Sequence, residues 1–423
     1  MNARQIVTWT LSVAAALMLV LLAGPPAPAS PAFDRCGWNP VGNVLFPDLN
    51  ARYWKVVVPV HSAQQIRITG QFPHARYAAY ALQGPASSGD AIHDAQITPD
   101  AGSTNPFLAG ADRTVAARSY TLHVIPEQAP ASGRAPNTLS AGDGFAAQQA
   151  ITLVYRIYDV DAAADQVTGG VSFPVVEAVD ASGAVTIRCD NNRGGVTPGA
   201  SFAPVPAGSD TGIGAVGTNP PSWQKFINTA TAYSQLLHSD LLGDALYDKV
   251  STATASTSSG GLGANVDNQY ISALVNANYG KVLSLTATMP TYPQTYQGQS
   301  SMGTGQVRYW SMCSEVFATT QAVQCVPDHA VPLHGDHTFA IVVSAPADRP
   351  SNATEACGVA WLPMGTAPGT LLIMRNMLSD PAFAQGIGNA QLNHEADTMG
   401  SYYPHGQYYP DAAAYEATGC VSD

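Results

Sequence analysis

Two groups of residues in this chain carry side chains able to do chemistry. The first is a repeated Arg-aromatic step, Arg76-Tyr77 and Arg308-Tyr309-Trp310, with Arg375 ending a later apolar run. A guanidinium fork takes a carboxylate bidentately, and an aromatic face stacks on a sugar or an aromatic ligand. Arg76, Tyr77, Arg308, Tyr309 and Arg375 are therefore the expected ligand-binding residues. A structurally paired Arg beside a core aromatic explains the same pattern. Tyr309 and Trp310 point to opposite faces of a strand, so both line one pocket only if the strand bulges.

The second group is Asp328-His329 with His334-Gly335-Asp336-His337. Imidazoles and carboxylates facing each other across a hairpin can hold a divalent ion or act as acid and base. Asp328, His334, Asp336 and His337 thus form an alternative site, for a metal or for a hydrolase or lyase. Turn chemistry accounts for the same residues, because Asp and Gly adopt the dihedrals of a tight connection.

Other motifs fail on inspection. Gly212-Ile213-Gly214-Ala215-Val216-Gly217 matches a dinucleotide fingerprint literally, but Pro220-Pro221 follows where the helix should run. His394-Glu395-Ala396-Asp397 lacks the second His of a zinc protease helix, and neither a nucleophile elbow nor a P-loop is present. No cofactor is implied. The tail holds Tyr402, Tyr403, Tyr408, Tyr409 and Tyr415. Such rings suit a polysaccharide surface, or a tail strapped over the fold by Cys420.

The elements that must position these residues are strands. Val307–Met312 alternates apolar and polar residues, Ala322–Val326 is rich in β-branched residues, and Thr338–Val343 is a nearly unbroken apolar run. Further strands are expected over 53–60, 65–69, 76–82, 120–125, 151–158, 171–179 and 185–188. Ser222 can cap a helix running to about His238, a second helix fits 241–250, and Asp380-Pro381 can open a short one.

The order of landmarks repeats. Arg76-Tyr77, Asp94…Ile97, the run 120–125 and Arg156 are echoed by Arg308-Tyr309, Asp328…Val331, 338–343 and Arg375. Upstream, Asn50-Ala51-Arg52-Tyr53-Trp54-Lys55-Val56 matches Asn276-Ala277-Asn278-Tyr279-Gly280-Lys281-Val282. The expectation is a tandem duplication.

Bulk properties agree. At 423 residues two domains are expected. Only 11% of residues are charged, and Gly and Pro number 38 and 31, a mix that suits a turn-rich β protein. A net charge of −12 argues against nucleic acid or an anionic membrane surface as partner. Arg4, the apolar run 6–22 and Ala27-Pro28-Ala29 read as a signal peptide over 1–29, with no integral span after cleavage. Six Cys without a C-x-x-C pair favour disulfides in an exported protein, and the pairs expected are Cys36–Cys189, Cys313–Cys325 and Cys357–Cys420.

Asn265-Val266-Asp267-Asn268-Gln269-Tyr270, Gly280-Lys281-Val282 and Arg308-Tyr309 resemble the landmarks of an uncharacterised bacterial family, the domain of unknown function numbered twelve-fifty-four. Asp336–Val343, Trp361-Leu362-Pro363 and the strand ending in Arg375 resemble its frequent companion, numbered twelve-fourteen. Ala360 and Asn376-Met377 depart from the second pattern. The resemblance implies a secreted bacterial β-sandwich or jelly roll and brings no reaction with it.

The expected architecture is mainly β. Two related antiparallel β-sandwich, jelly-roll-like units at 36–190 and 265–423 flank a Gly/Pro/Ser-rich linker with a short helical insert at 191–264. The expected function is a secreted or cell-envelope protein that binds a small molecule or saccharide.

Overall fold

The strands divide by burial pattern, and that division sets the architecture. In the computed structural model, Ser119–Ile125 and Val282–Thr288 largely alternate buried with half-buried or exposed positions, whereas Tyr309–Val316 and Gly369–Met377 are buried throughout. A strand covered on one face alternates; one covered on both faces does not. The fully buried strands must therefore lie in inner sheets.

The structure describes residues 36–60, 63–83, 89–130, 133–142, 145, 149–189, 217–225, 265–317, 319–365 and 367–421. The expected signal peptide, most of the linker and the helices expected beyond Lys225 lie outside them. Within them the first half contains β1 (Asn39–Pro40), β2 (Ala51–Pro59), β3 (Gln65–Gln71), β4 (Ala75–Gln83) and β5 (Ala91–His93). It continues with β6 (Ser119–Ile125), β7 (Thr138–Ser140), β8 (Ala150–Val160), β9 (Val175–Val179) and β10 (Val185–Cys189). The second half contains β11 (Gln224–Lys225), β12 (Asn268–Asn276), β13 (Val282–Thr288), β14 (Tyr309–Val316) and β15 (Gln321–Pro327). It ends with β16 (Thr338–Ser344), β17 (Val359–Pro363), β18 (Gly369–Met377), the short α1 (Glu395–Met399), β19 (His405–Tyr409) and α2 (Ala412–Glu416).

Each half is a sandwich of two sheets, and the strand orders correspond. The inner sheets run β1-β2-β8-β4-β5 and β11-β12-β18-β14-β15. The outer sheets run β10-β9-β3-β6-β7 and β19-β13-β16-β17. All pairings are antiparallel except β6–β7 and β16–β17, which are parallel in both halves. Register corresponds too: Tyr53 pairs with Arg156 as Tyr270 pairs with Arg375.

Inside the first sandwich the Tyr80 ring stacks on Tyr155 at 4.7 Å, and its hydroxyl meets that of Tyr120 at 2.6 Å. Gly70 leaves the room that the Tyr120 ring fills; a Cβ there would lie 2.7 Å from its hydroxyl. The second core is built from Ile271, Leu285, Trp310, Met312, Ile341, Leu372 and Met374. Between the inner sheets lies a third cluster, Ala51, Tyr77, Ala79, Tyr158, Tyr309 and Met377. Gly37–Asp423 is one compact unit, because the inner faces cover each other through this apolar cluster and the buried polar contacts beside it.

The expected Cys313–Cys325 disulfide is formed, between residues that sit opposite each other within β14 and β15. Cys357–Cys420 is formed, and Cys36 and Cys189 are also disulfide-bonded, so no described cysteine is free. Several local expectations need correction. Gln224–Lys225 is a strand pairing with β12 where a helix was expected to begin. Asp380-Pro381 opens a turn, with Phe383 N–H donating to Asp380 O. The Tyr-rich tail contributes β19 to the outer sheet, and Gly280 is required where the β12–β13 turn meets it, since a Cβ would collide with the Tyr409 carbonyl. No helix among the described residues is long and apolar enough to cross a membrane.

Candidate functional site

The Arg-Tyr steps sit at matching points of β4 and β14, where the two inner sheets face each other. Arg76 and Tyr77 are in the first turn of pleat of β4; Arg308 immediately precedes β14 and Tyr309 begins it. Asp94 and Asp328 each open a 3-10 turn after the following strand, over Asp94–Gln96 and Asp328–Ala330. Each aspartate accepts a backbone N–H from its own half, Ala78 N to Asp94 Oδ2 at 2.7 Å and Trp310 N to Asp328 Oδ2 at 3.0 Å. That bond fixes the carboxylate beside the start of its own strand.

The arginines then cross over. Arg76 Nη1 donates to both oxygens of Asp328, at 3.2 and 3.0 Å, and Arg308 Nη1 donates to Asp94 Oδ1 at 3.2 Å. The exchange is reciprocal in the backbone as well: Arg76 Nη1 lies 3.5 Å from Arg308 O, and Arg308 Nη1 lies 3.4 Å from Arg76 O. The tyrosines cross in the same way. Tyr77 donates to Asp267 Oδ2 at 2.7 Å and to Asn265 Oδ1 at 3.1 Å, while Tyr309 donates to Asp48 Oδ2 at 2.9 Å. Asp48 and Asn265 hold corresponding places ahead of β2 and β12.

Burial is close to complete, with Arg76, Tyr77 and Tyr309 at 0% exposure. Burial opposes the charge on Arg76, but the Asp328 and Asp159 carboxylates outweigh it and hold its pKa above the ordinary value. Burial raises Asp94 although Arg308 pulls the other way, and pushes Asp328 up to about 6 against the pull of Arg76. Tyr77 and Tyr309 are raised by burial first, then by Asp267 and Asp48 respectively.

Arg375, on β18, serves a separate cluster. Its Nη1 donates to Cys313 Sγ at 2.7 Å, and its Nη2 to Phe46 O at 2.8 Å and Glu315 Oε1 at 3.3 Å. Burial works against its charge, but Asp48 and Glu315 together push its pKa up. One guanidinium thus serves two carboxylates, and burial raises Glu315 well above the usual range.

The structure therefore brings Arg76, Tyr77, Arg308 and Tyr309 together and places Arg375 nearby, all engaged with protein groups. Trp310 faces away into the second core, 5.3 Å from the Phe339 ring. Asp328, His334, Asp336 and His337 are not gathered. His334 Nε2 meets Gly358 O at 3.1 Å, Asp336 accepts from Thr338 N–H and hydroxyl in its own turn, and His337 occupies a left-handed backbone position. Among the described residues, Asp159, Asp328 and His329 come within 4.8 Å of one another. The Arg76 guanidinium stands between the two carboxylates, where a metal cation would have to be. Asp48 also approaches Cys313 and Cys325, but those sulfurs are joined to each other and are not thiolate ligands.

Sequence reasoning missed Asp159, Asp48 and the role of His329. Asp159 Oδ2 pairs with Arg76 Nη2 at 2.7 Å, and its Oδ1 lies 3.1 Å from His329 Nδ1. Tyr296 covers the His329 ring, stacked at 3.6 Å. The usable signal was the shared order Arg-Tyr then Asp, which marks a pairing set but not the crossing.

No family model matches this chain, and no curated protein matches it. Solved structures similar to it include a putative uncharacterised protein from Burkholderia cenocepacia, at 12% identity and TM-score 0.46, covering 89% of this chain and 82% of that one. Another is an anti-sigma factor domain-containing protein, at 8% identity and TM-score 0.18, covering 82% and 83%.

Proposed function

We propose that this chain is an exported, disulfide-bonded product of a tandem duplication, which binds a saccharide or small molecule at the cell envelope. The crossed Arg–Asp and Tyr–Asp contacts hold its two sandwiches as one body and are spent on that task. The landmarks shared with the two bacterial families support the exported β-sandwich reading, as do the oxidised cysteines.

One observation carries the ligand class. Tyr279 is the aromatic among the large exposed apolar side chains of the described residues, at 45% exposure, and its ring lies 5.5 Å from that of Tyr408 on β19. A tilted tyrosine pair, Tyr279 in the β12–β13 turn and Tyr408 on β19, offers an aromatic stacking face, with the Tyr279 hydroxyl donating to Gly217 O at 3.0 Å and the Tyr408 hydroxyl accepting from Asn276 N–H at 3.2 Å; such a face suits a sugar ring. A thermal-shift screen of the full chain against glycans and small carboxylates tests this. The expected result is a rise in Tm with at least one glycan that Tyr279→Ala removes; no shift with any compound contradicts it.

A second reading, an exported hydrolase or lyase, is favoured by the Asp159–His329 contact. Asp159 Oδ1 lies 3.1 Å from His329 Nδ1, which places a carboxylate beside an imidazole that could act as acid or base. Its test is a panel of ester and glycoside substrates, where any turnover must be lost in His329→Ala.

A further inference from the structure

The crossed contacts are matched in geometry but not in charge. On one side Arg308 faces Asp94, one cation and one anion. On the other, Arg76 faces both Asp328 and Asp159, and Asp159 in turn faces His329. With His329 neutral, the second group holds one cation and two carboxylates, an uncompensated negative charge. Asp328 is fully buried and Asp159 is 2% exposed. A net charge in such a place is disfavoured, and the group relieves it by taking up a proton.

We propose that the Arg76–Asp159–Asp328–His329 cluster is a proton-binding site between the two halves, loaded in mildly acidic medium and empty above neutrality. The groups that face it bear this out. From β4 comes Arg76, whose Nε donates to Thr295 Oγ1. From the end of β8 come Asp159 and Asp161, and Asp161 is neutralised by Arg113 at 2.6 Å. From the segment 289–308 come the neutral Tyr292, whose hydroxyl donates to Asp328 O at 3.2 Å, and Tyr296 against His329. From the 3-10 turn come Asp328 and His329 themselves. None of these neighbours supplies a second unpaired cation. Asp328, which burial raises to about 6, is the group that takes the proton, with Asp159 and His329 beside it.

The sign follows from the direction of that shift. A carboxyl with a folded pKa above its unfolded one favours folding fully below the unfolded value, and that advantage fades as pH rises through the folded value. For Asp328 the window runs from about pH 4 to about pH 6, worth roughly a hundredfold in the folded/unfolded ratio.

The test is a carbon-detected NMR titration of the full chain, following the Asp328 carboxyl and the His329 ring. The expected result is uptake of one proton by this pair between pH 7.5 and 5. Titration of Asp328 below pH 4 together with His329 below pH 5 overturns the proposal. Urea unfolding at pH 4 and pH 7 gives an independent arm: Asp159→Asn, which removes the excess charge, should shrink the pH dependence relative to wild type and leave the part that burial itself imposes on Asp328, with the exposed-site variant His394→Gln unchanged. Equal pH dependence in wild type and Asp159→Asn overturns it as well. If Asp159→Asn does not fold, the wild-type titration alone decides.

Discussion

The Arg76 side and the Arg308 side of the interface follow one geometric pattern and differ in their charges. Both use an arginine at the start of a buried strand, an aspartate opening a 3-10 turn, and a crossing between halves. Arg308 has 15% side-chain exposure and one carboxylate partner; Arg76 has no exposure and faces Asp159 as well as Asp328, with His329 beyond. By strand register the places of Asp159 and His329 are held in the other half by Leu378 and Ala95. Asp159 and Leu378 both take a left-handed backbone, at φ 50° and 44°, so the backbone feature is common to the two halves and only the side chain differs. The scaffold is thus symmetric and the titratable chemistry is not.

The largest effect should come from unpairing the deeper side. Asp328→Ala leaves Arg76 short of a partner at zero exposure, and a cost of about 3–5 kcal/mol is expected in denaturant unfolding. Arg308→Ala, on the shallower side, should cost less, about 1.5–3 kcal/mol by the same measurement. Equal costs would mean that the two sides are not distinguished by burial.

A second asymmetry lies one strand along. Cys313 and Cys325 are register partners in β14 and β15, and the corresponding pair in β4 and β5 is Ala81 and Ala91. Replacing both cysteines by alanine should therefore cost the second half alone about 2–4 kcal/mol, seen as lost amide protection in β14–β15 with β4–β5 unchanged. Smaller again, Tyr77→Phe and Tyr309→Phe should each cost about 1 kcal/mol, since each removes a hydroxyl donated across the interface. The smallest effect is in pH. Burial raises Asp94, so wild type should lose stability relative to Asp94→Asn as pH rises from about 4, checked by unfolding midpoints across that range.

Much of this was legible in the residues because it is local. Alternation gave the outer strands, and the Arg-Tyr-then-Asp order placed corresponding residues at corresponding points. The upstream match was misleading: Asn50–Val56 lies at the start of β2, whereas Asn276–Val282 spans the β12–β13 turn. A short run of Asn, Ala, Tyr, Lys and Val recurs for unrelated local reasons, while the residues that correspond by register to 50–56, at 267–273, differ in type. Nor could sequence show that Arg76 reaches Asp328, 252 residues away, instead of the aspartate in its own half. Which of two identical acids a buried arginine takes is decided by how the inner sheets pack, and no local pattern encodes that. The same applies to Asp159, one carboxylate among many until the fold sets it against Arg76.

The reciprocal crossing is best tested by a double-mutant cycle on Arg76→Met with Asp328→Asn, run beside the within-half cycle Arg76→Met with Asp94→Asn. Coupling well above 1 kcal/mol in the cross-half cycle and near zero in the within-half cycle is expected. Coupling confined to Arg76 and Asp94 would contradict the crossing, and with it the account of how the two halves are held.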